Sequence, residues 1–213
     1  MVRKLLPILL VLAGFMLAGC GEYGKVEQGS TIAFDKEKSM VTMIVDTNTD
    51  PRKPANYMVM TEPHIFALPP KDSVDRGADP SPGLCVNLDL DKKIITMYNP
   101  KEKKFDNFSF ELIDDINKGV RVNRRNEVLR DEKVVRKADE YPVISEADNT
   151  IQLFYRRLWK TQSRLTTIKL SASDFAKYKG KDWAQGDEVR LYSKEPGKST
   201  RFMNITKTDI TRR

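Results

Sequence analysis

Histidine and cysteine are nearly missing from this chain: one His and two Cys stand among 213 residues. A Ser-His-Asp or Cys-His centre would have to use His64, and a His/Cys metal site lacks its ligands. Only one long apolar run is present, which excludes a polytopic membrane protein. No internal repeat of fixed period occurs, which excludes a solenoid or propeller array. What is present fits a packed globular chain. Hydrophobic residues make up 39% and charged residues 31%, too apolar a mixture for a wholly disordered protein. A mass of 24.4 kDa fits one medium domain, and 37 Lys+Arg against 30 Asp+Glu give a formal charge of +7.

The single apolar run lies at the N-terminus. Arg3 and Lys4 precede it, and residues 5–16 are almost uniformly apolar, interrupted by Pro7. The run, about 15 residues up to Gly19, is shorter than the roughly 20 that a spanning helix needs. A basic start, a short apolar stretch and small residues before a cut site form a secretory signal peptide. Leu17-Ala18-Gly19-Cys20 resembles the lipobox of bacterial lipoproteins. The resemblance covers the first 20 residues, and residues 21–213 resemble no characterised family. It implies that Cys20 receives a diacylglycerol thioether, that cleavage precedes it, and that the new terminus is acylated, with palmitate the typical chain. Gly21, in place of an Asp that would retain the protein at the inner membrane, resembles outer-membrane sorting with the chain facing the periplasm. One acyl chain holds a protein only marginally, whereas two or three bind it durably. The expected organisation is a cleaved signal peptide over 1–19, a lipid-anchored tether over 20–30, and a single β-rich domain over 31–213. Cys85 is then left without an intramolecular partner, and beside Gly83-Leu84 and Val86-Asn87-Leu88 it reads as a small buried apolar residue.

The mature chain reads mainly as strands. Apolar and β-branched runs flank charged turns at 32–45, at 86–98 and again at 189–205, each predicting a hairpin. Residues 105–112 add a third strand to the second hairpin, making a meander. Residues 113–119 predict a short helical turn ended by Gly119. Val128-Leu129 and Val134-Val135 flank a turn at 130–133. Residues 150–159 form a strong strand whose partner is 164–170. Ser171 and Asp174 frame a capping box, with Phe175 and Tyr178 on one helical face and Gly180 at its end. Residues 61–83, with Pro63, Pro69, Pro70, Pro80 and Pro82, predict a long loop. The expected fold is a small antiparallel barrel, OB-like, with hairpin insertions and one short helix, because closure hides sheet edges. A β-sandwich is the alternative.

Four features that could carry chemistry fail on inspection. Gly197-Lys198-Ser199-Thr200 lacks the upstream glycine of a phosphate loop, Tyr192 standing there, and a strand follows it. Asn87-x-Asp89-x-Asp91 opens like a calcium loop, but Lys92 and Tyr98 occupy the glycine and glutamate positions. His64 has only Glu62 as a carboxylate nearby in sequence, and Asp114-Asp115 show no sign of a cleft. No catalytic residue, metal or cofactor is therefore expected. One stretch stands out: no acid lies between Asp148 and Asp174, while Arg156, Arg157, Lys160 and Arg164 interleave with Tyr155 and Trp159. Arginine forks suit phosphate and carboxylate, and aromatics supply stacking surface. Residues 118–137 are also basic, with eight basic and three acidic residues, and read as a solvated face.

The expectation is a non-enzymatic envelope lipoprotein that binds or scaffolds another envelope component. Tyr155, Arg156, Arg157, Trp159, Lys160 and Arg164 would meet an anionic polymer, a lipid head group or a protein partner. Nucleic acid does not suit the compartment. A membrane-tethered hydrolase and a spacer without ligand are the alternatives.

Overall fold

The computed structural model describes residues 24–48, 55–59, 62–123, 125–155 and 163–208. The first three strands are β1 (Lys25–Asp35), β2 (Met40–Val45) and β3 (His64–Ala67). The middle of the chain holds β4 (Cys85–Asp89), β5 (Ile94–Asn99), β6 (Lys104–Ser109), β7 (Glu111–Ile116), β8 (Val120–Val122), β9 (Glu127–Arg130), β10 (Lys133–Lys137), β11 (Val143–Ser145), β12 (Thr150–Tyr155) and β13 (Arg164–Lys169). A one-turn helix, α1 (Ala172–Phe175), precedes β14 (Glu188–Glu195) and β15 (Lys198–Asn204).

The two ends of the chain close a five-stranded barrel in the order β1-β14-β15-β3-β2. All neighbours are antiparallel except β15 and β3, which run parallel. Numbered along the barrel alone, the order is 1-4-5-3-2, that of an OB-like barrel, so the expected fold class holds. A bulge between Thr31 and Ala33 bends β1, whose first half pairs with β14 and whose second half pairs with β2. Val41, Met43, Phe66, Val189, Leu191 and Phe202 fill the interior.

Everything between β3 and β14 is an insertion. β4-β5-β6 form a meander, β11-β12-β13-β7 a four-stranded sheet, and β10-β9-β8 a third sheet. Ile95, Met97 and Phe108 of the meander share one core with Ile151, Leu153 and Ile168 of the four-stranded sheet. Trp183 is fully buried there, its indole N–H donating to the Tyr178 carbonyl at 3.1 Å. That core also takes in Ile32 and Ile44 of the barrel, so the barrel and its insertion are joined by apolar packing. The other side of the four-stranded sheet packs Phe154 and Leu165 against Val120, Val128 and Tyr141.

The chain leaves and re-enters the barrel through two segments that run side by side. Leu84 N–H donates to the Asp182 carbonyl at 2.9 Å, Cys85 N–H to Ala184 at 3.0 Å, and Asp187 N–H to Ser81 at 2.9 Å. The backbones approach so closely that only glycine fits. A Cβ on Gly186 would lie 1.9 Å from the Thr31 carbonyl oxygen, and one on Gly83 would lie 2.1 Å from that of Ala184.

Local turn chemistry explains the hairpins. Asp35 and Asp89 accept from the N–H groups of Lys38 and Lys92 at 2.9 Å, and Asn99 accepts from Lys101 and Glu102. Ser39, Lys93 and Lys103 then take positive φ, turning the chain into the next strand. Asp131 and Glu132 both have positive φ, the signature of a type I′ turn, and join β9 to β10 where the hairpin is expected.

Four expectations are corrected. Residues 113–119 are not helical: β7 occupies them to Ile116, pairing with β13. The proline-rich segment 61–83 contains a strand, β3, whose Phe66 is buried in the barrel. Residues 25–30, expected within a tether, are strand instead, since Lys25 to Ser30 already pair with β14. The helix after Ser171 ends at Phe175, and Gly180, at φ +51°, opens a 3-10 turn rather than closing the helix. Half of the expected capping box is present: Asp174 N–H donates to the Ser171 hydroxyl at 3.1 Å, but the Asp174 carboxylate accepts from that hydroxyl at 2.8 Å instead of from the Ser171 amide.

Candidate functional site

The junction between barrel and insertion opens into a cleft of about 390 Å³, within the range of small-molecule sites. The start of β14 supplies Glu188, and the strap before it supplies Gln185 and Asp187. Thr206 and Lys207 follow β15, and Tyr57 comes from the segment between β2 and β3. From the insertion come Leu153, Phe154 and Tyr155 at the end of β12, and Asp139, Tyr141 and Pro142 beyond β10. Rings, an amide and charges of both signs therefore meet in one concavity.

Hydrogen bonds hold this frame. Lys181 donates to the carbonyls of Asp139 and Tyr141, both at 2.6 Å, and pins that turn to the cleft rim. The buried Asp187 carboxylate accepts from Ser81 N–H and the Asn204 amide, each at 2.8 Å, with the Lys207 ammonium at 3.2 Å. Lys207 also donates to the Asp79 carbonyl and the Ser81 hydroxyl. Both lysines are thus spent on structure as well as facing the cleft.

Glu188 differs from them. It is half-buried, and burial chiefly raises its carboxyl above the usual range, with Asp46 adding to the effect. The Gln28 amide donates to it, and Arg190 donates to the Gln28 oxygen at 2.9 and 2.6 Å, which steadies its charged form. Tyr57 is buried beside it. Burial, and then the negative charges of Glu188 and Asp46, push its hydroxyl far above the ordinary phenol value. The Tyr141 hydroxyl is also buried, and among the described residues it finds no hydrogen-bond partner.

Of the six residues singled out by sequence, Arg156, Arg157, Trp159 and Lys160 lie outside the described residues. Tyr155 lines the cleft and packs against the insertion core. Its hydroxyl lies 3.7 Å from the sulfur of Cys85. Arg164 stands opposite Tyr155 on β13, and its guanidinium pairs with Asp115 at 3.3 Å. Asp115 also accepts from the Thr166 hydroxyl at 2.9 Å, so this acid is part of a sheet-face network.

The remaining motifs resolve into structure. Cys85 is fully buried, and burial pushes its thiol up to about 12. Lys198 begins β15 after a turn at Gly197, φ +71°. Asp89 is the turn acceptor described above. His64 meets a carboxylate the sequence did not predict: its Nδ1 lies 2.5 Å from buried Glu27, 37 residues earlier. The pair is not among the cleft-lining residues. No group of three or more His, Cys, Asp or Glu that could hold a metal gathers among the described residues. Glu188, Tyr57 and Tyr141 carry no sequence signal that points to a site, because their neighbours come from distant parts of the chain.

Residues 22–213 match the family described as a domain of unknown function (DUF4881), and the chain belongs to that family. No curated protein and no solved structure matches it.

Proposed function

We propose that this DUF4881 protein is a bacterial envelope lipoprotein, anchored through lipid on Cys20 at the outer membrane and facing the periplasm, whose barrel and insertion together bind another envelope component. The observation that carries the binding reading is the junction cleft, where Tyr57, Tyr155 and Phe154 meet Glu188, Gln185 and Lys207. Ring faces offer stacking area, and the polar groups orient a ligand. The anchor rests on Leu17-Ala18-Gly19-Cys20. A photo-crosslinking residue at Gln185, exposed at the cleft, should capture a discrete envelope component in living cells, whereas the same residue at Lys36, on the β1–β2 turn, should not. Equal capture at both positions would refute the cleft as the binding site. The basic stretch would extend the contact surface, so Arg156→Ala with Arg157→Ala should weaken capture.

One observation favours a second reading, a membrane-tethered hydrolase. Glu188 is a half-buried carboxyl with raised proton affinity in a concave site, the condition a general acid needs. Glu188→Gln would abolish hydrolysis of any envelope substrate on that reading. On the binding reading, no turnover of a captured component occurs with either chain.

A further inference from the structure

We propose that the outer face of β1, β14 and β15 lies against the lipid bilayer that holds the anchor. The inference rests on lipidation of Cys20. Four peptide steps separate Cys20 from Gly24, the first described residue, and an extended chain of that length reaches about 14 Å. Gly24 is fixed on the barrel. Its N–H donates to the Tyr192 hydroxyl at 3.2 Å, and it sits so close to the ring that a Cβ would fall 2.4 Å from it. The anchor is therefore confined to the neighbourhood of Tyr192 on β14.

The surface there is unlike a solvated sheet face. Val26 is 60% exposed, Val74 100% and Met203 41%, and all three line one groove with Tyr192. The register explains the grouping: Val26, Tyr192 and Arg201 stand opposite one another across β1, β14 and β15, and Gln28, Arg190 and Met203 form the next row. Arg190 and Arg201 are exposed on the same face. Arg201 pairs with Asp75 at 2.9 Å, Arg190 bonds Gln28, and both line the groove with the apolar side chains. Exposed valine and methionine beside arginine match the acyl–headgroup boundary, where apolar side chains enter and cations meet phosphate. Ile113 on β7 and Val134 on β10 are exposed apolar residues of the insertion, and Ile65 on β3 is one of the barrel, but none of them lines this groove.

The test uses the full lipidated chain in vesicles of phosphatidylethanolamine and phosphatidylglycerol. Val74→Cys, Met203→Cys and Val134→Cys each receive a fluorophore, Cys85 being fully buried, and quenching by nitroxide-bearing lipid is measured. Mass analysis of the Cys20 peptide is run on the same material. Severalfold stronger quenching at 74 and 203 than at 134 is expected. Lipidated Cys20 with equal quenching at the three positions, or with shielding at 74 and 203 from water-soluble quenchers but no lipid quenching, overturns this face while leaving the anchor standing. Unmodified Cys20 overturns the anchor, and the face with it.

Discussion

Replacing Asp187 tests whether the cleft frame depends on one buried carboxylate. Its Oδ2 atom collects Ser81 N–H and the Asn204 amide at 2.8 Å, plus Lys207 at 3.2 Å. Asn204 is fully buried, and among the described residues its amide's other acceptor is the Asp79 carbonyl at the 3.5 Å limit. Asp187→Ala strands the buried Asn204 amide, at about 1–3 kcal/mol, and the N–H of exposed Ser81, which water can partly satisfy, at less. Lys207 is 37% exposed and keeps Asp79 and Ser81, so its lost ion pair contributes little. The expected loss is about 1–4 kcal/mol. Asp187→Asn can place its amide oxygen where Oδ2 stands and keep both neutral donors, losing only the charge that meets Lys207, so it should lose well under half as much. Urea unfolding followed by tryptophan fluorescence reads the effect, because Trp183 lies in the adjoining core. A lower midpoint with an unchanged slope reports stability alone. Asp187→Ala within about 0.5 kcal/mol of the parent, as for an ordinary surface substitution, would refute the claim that this carboxylate fastens the insertion to the barrel.

Further expectations follow from the same contacts. Cys85 should resist thiol reagents at pH 8 in the native protein and react at the rate of unfolding; prompt stoichiometric labelling of native material would contradict its burial. Its folded thiol lies at about 12 against an ordinary 9.0, so the protonated form is favoured by folding. Its contribution to stability is full below 9 and lost as pH rises through 12, and Cys85→Ala should flatten that part of a stability–pH curve. Gly186→Ala should destabilise by about 1–3 kcal/mol, typical of forced overpacking, because the Cβ meets the Thr31 backbone carbonyl; an unchanged Tm would mean the strap moves freely. Trp183→Ala should cost about 3–5 kcal/mol, having lost its contacts with Phe108, Phe175 and Tyr178, as measured by thermal unfolding. Glu188 should titrate above the usual carboxyl range in carbon-detected NMR, and Gln28→Ala, removing the donor that steadies its charge, should raise it further.

Where local chemistry decided a structure, it was readable. The hairpins at 32–45, 86–98 and 189–205 combine β-branched runs with turns that an Asp or a Gly shapes, and each formed close to its expected place. The Ser171 side-chain cap is equally local. Misreadings arose where a partner came from far away. Ile113 and Ile116 have the spacing of a helical turn, but β13 offers a ladder as far as Ile116, and Thr166 and Arg164 take Asp115. β3 is four residues long among prolines, and β2 and β15 supply its pairing. The single histidine looked unpartnered because Glu27 is reached only when β1 and β3 enter the same barrel.

By itself, the amino-acid sequence determined the strands of the hairpins, their turns and the strand-rich class, since each follows from residues within a few positions of one another. Only the tertiary structure decided the cleft and the apolar face beside Gly24. Tyr57, Tyr141, Tyr155 and Glu188 are brought together by barrel closure and by the paired straps at Gly83 and Gly186. The physical reason is that a ladder of backbone hydrogen bonds couples segments more than a hundred residues apart, and no local pattern of side chains records which ladder will form.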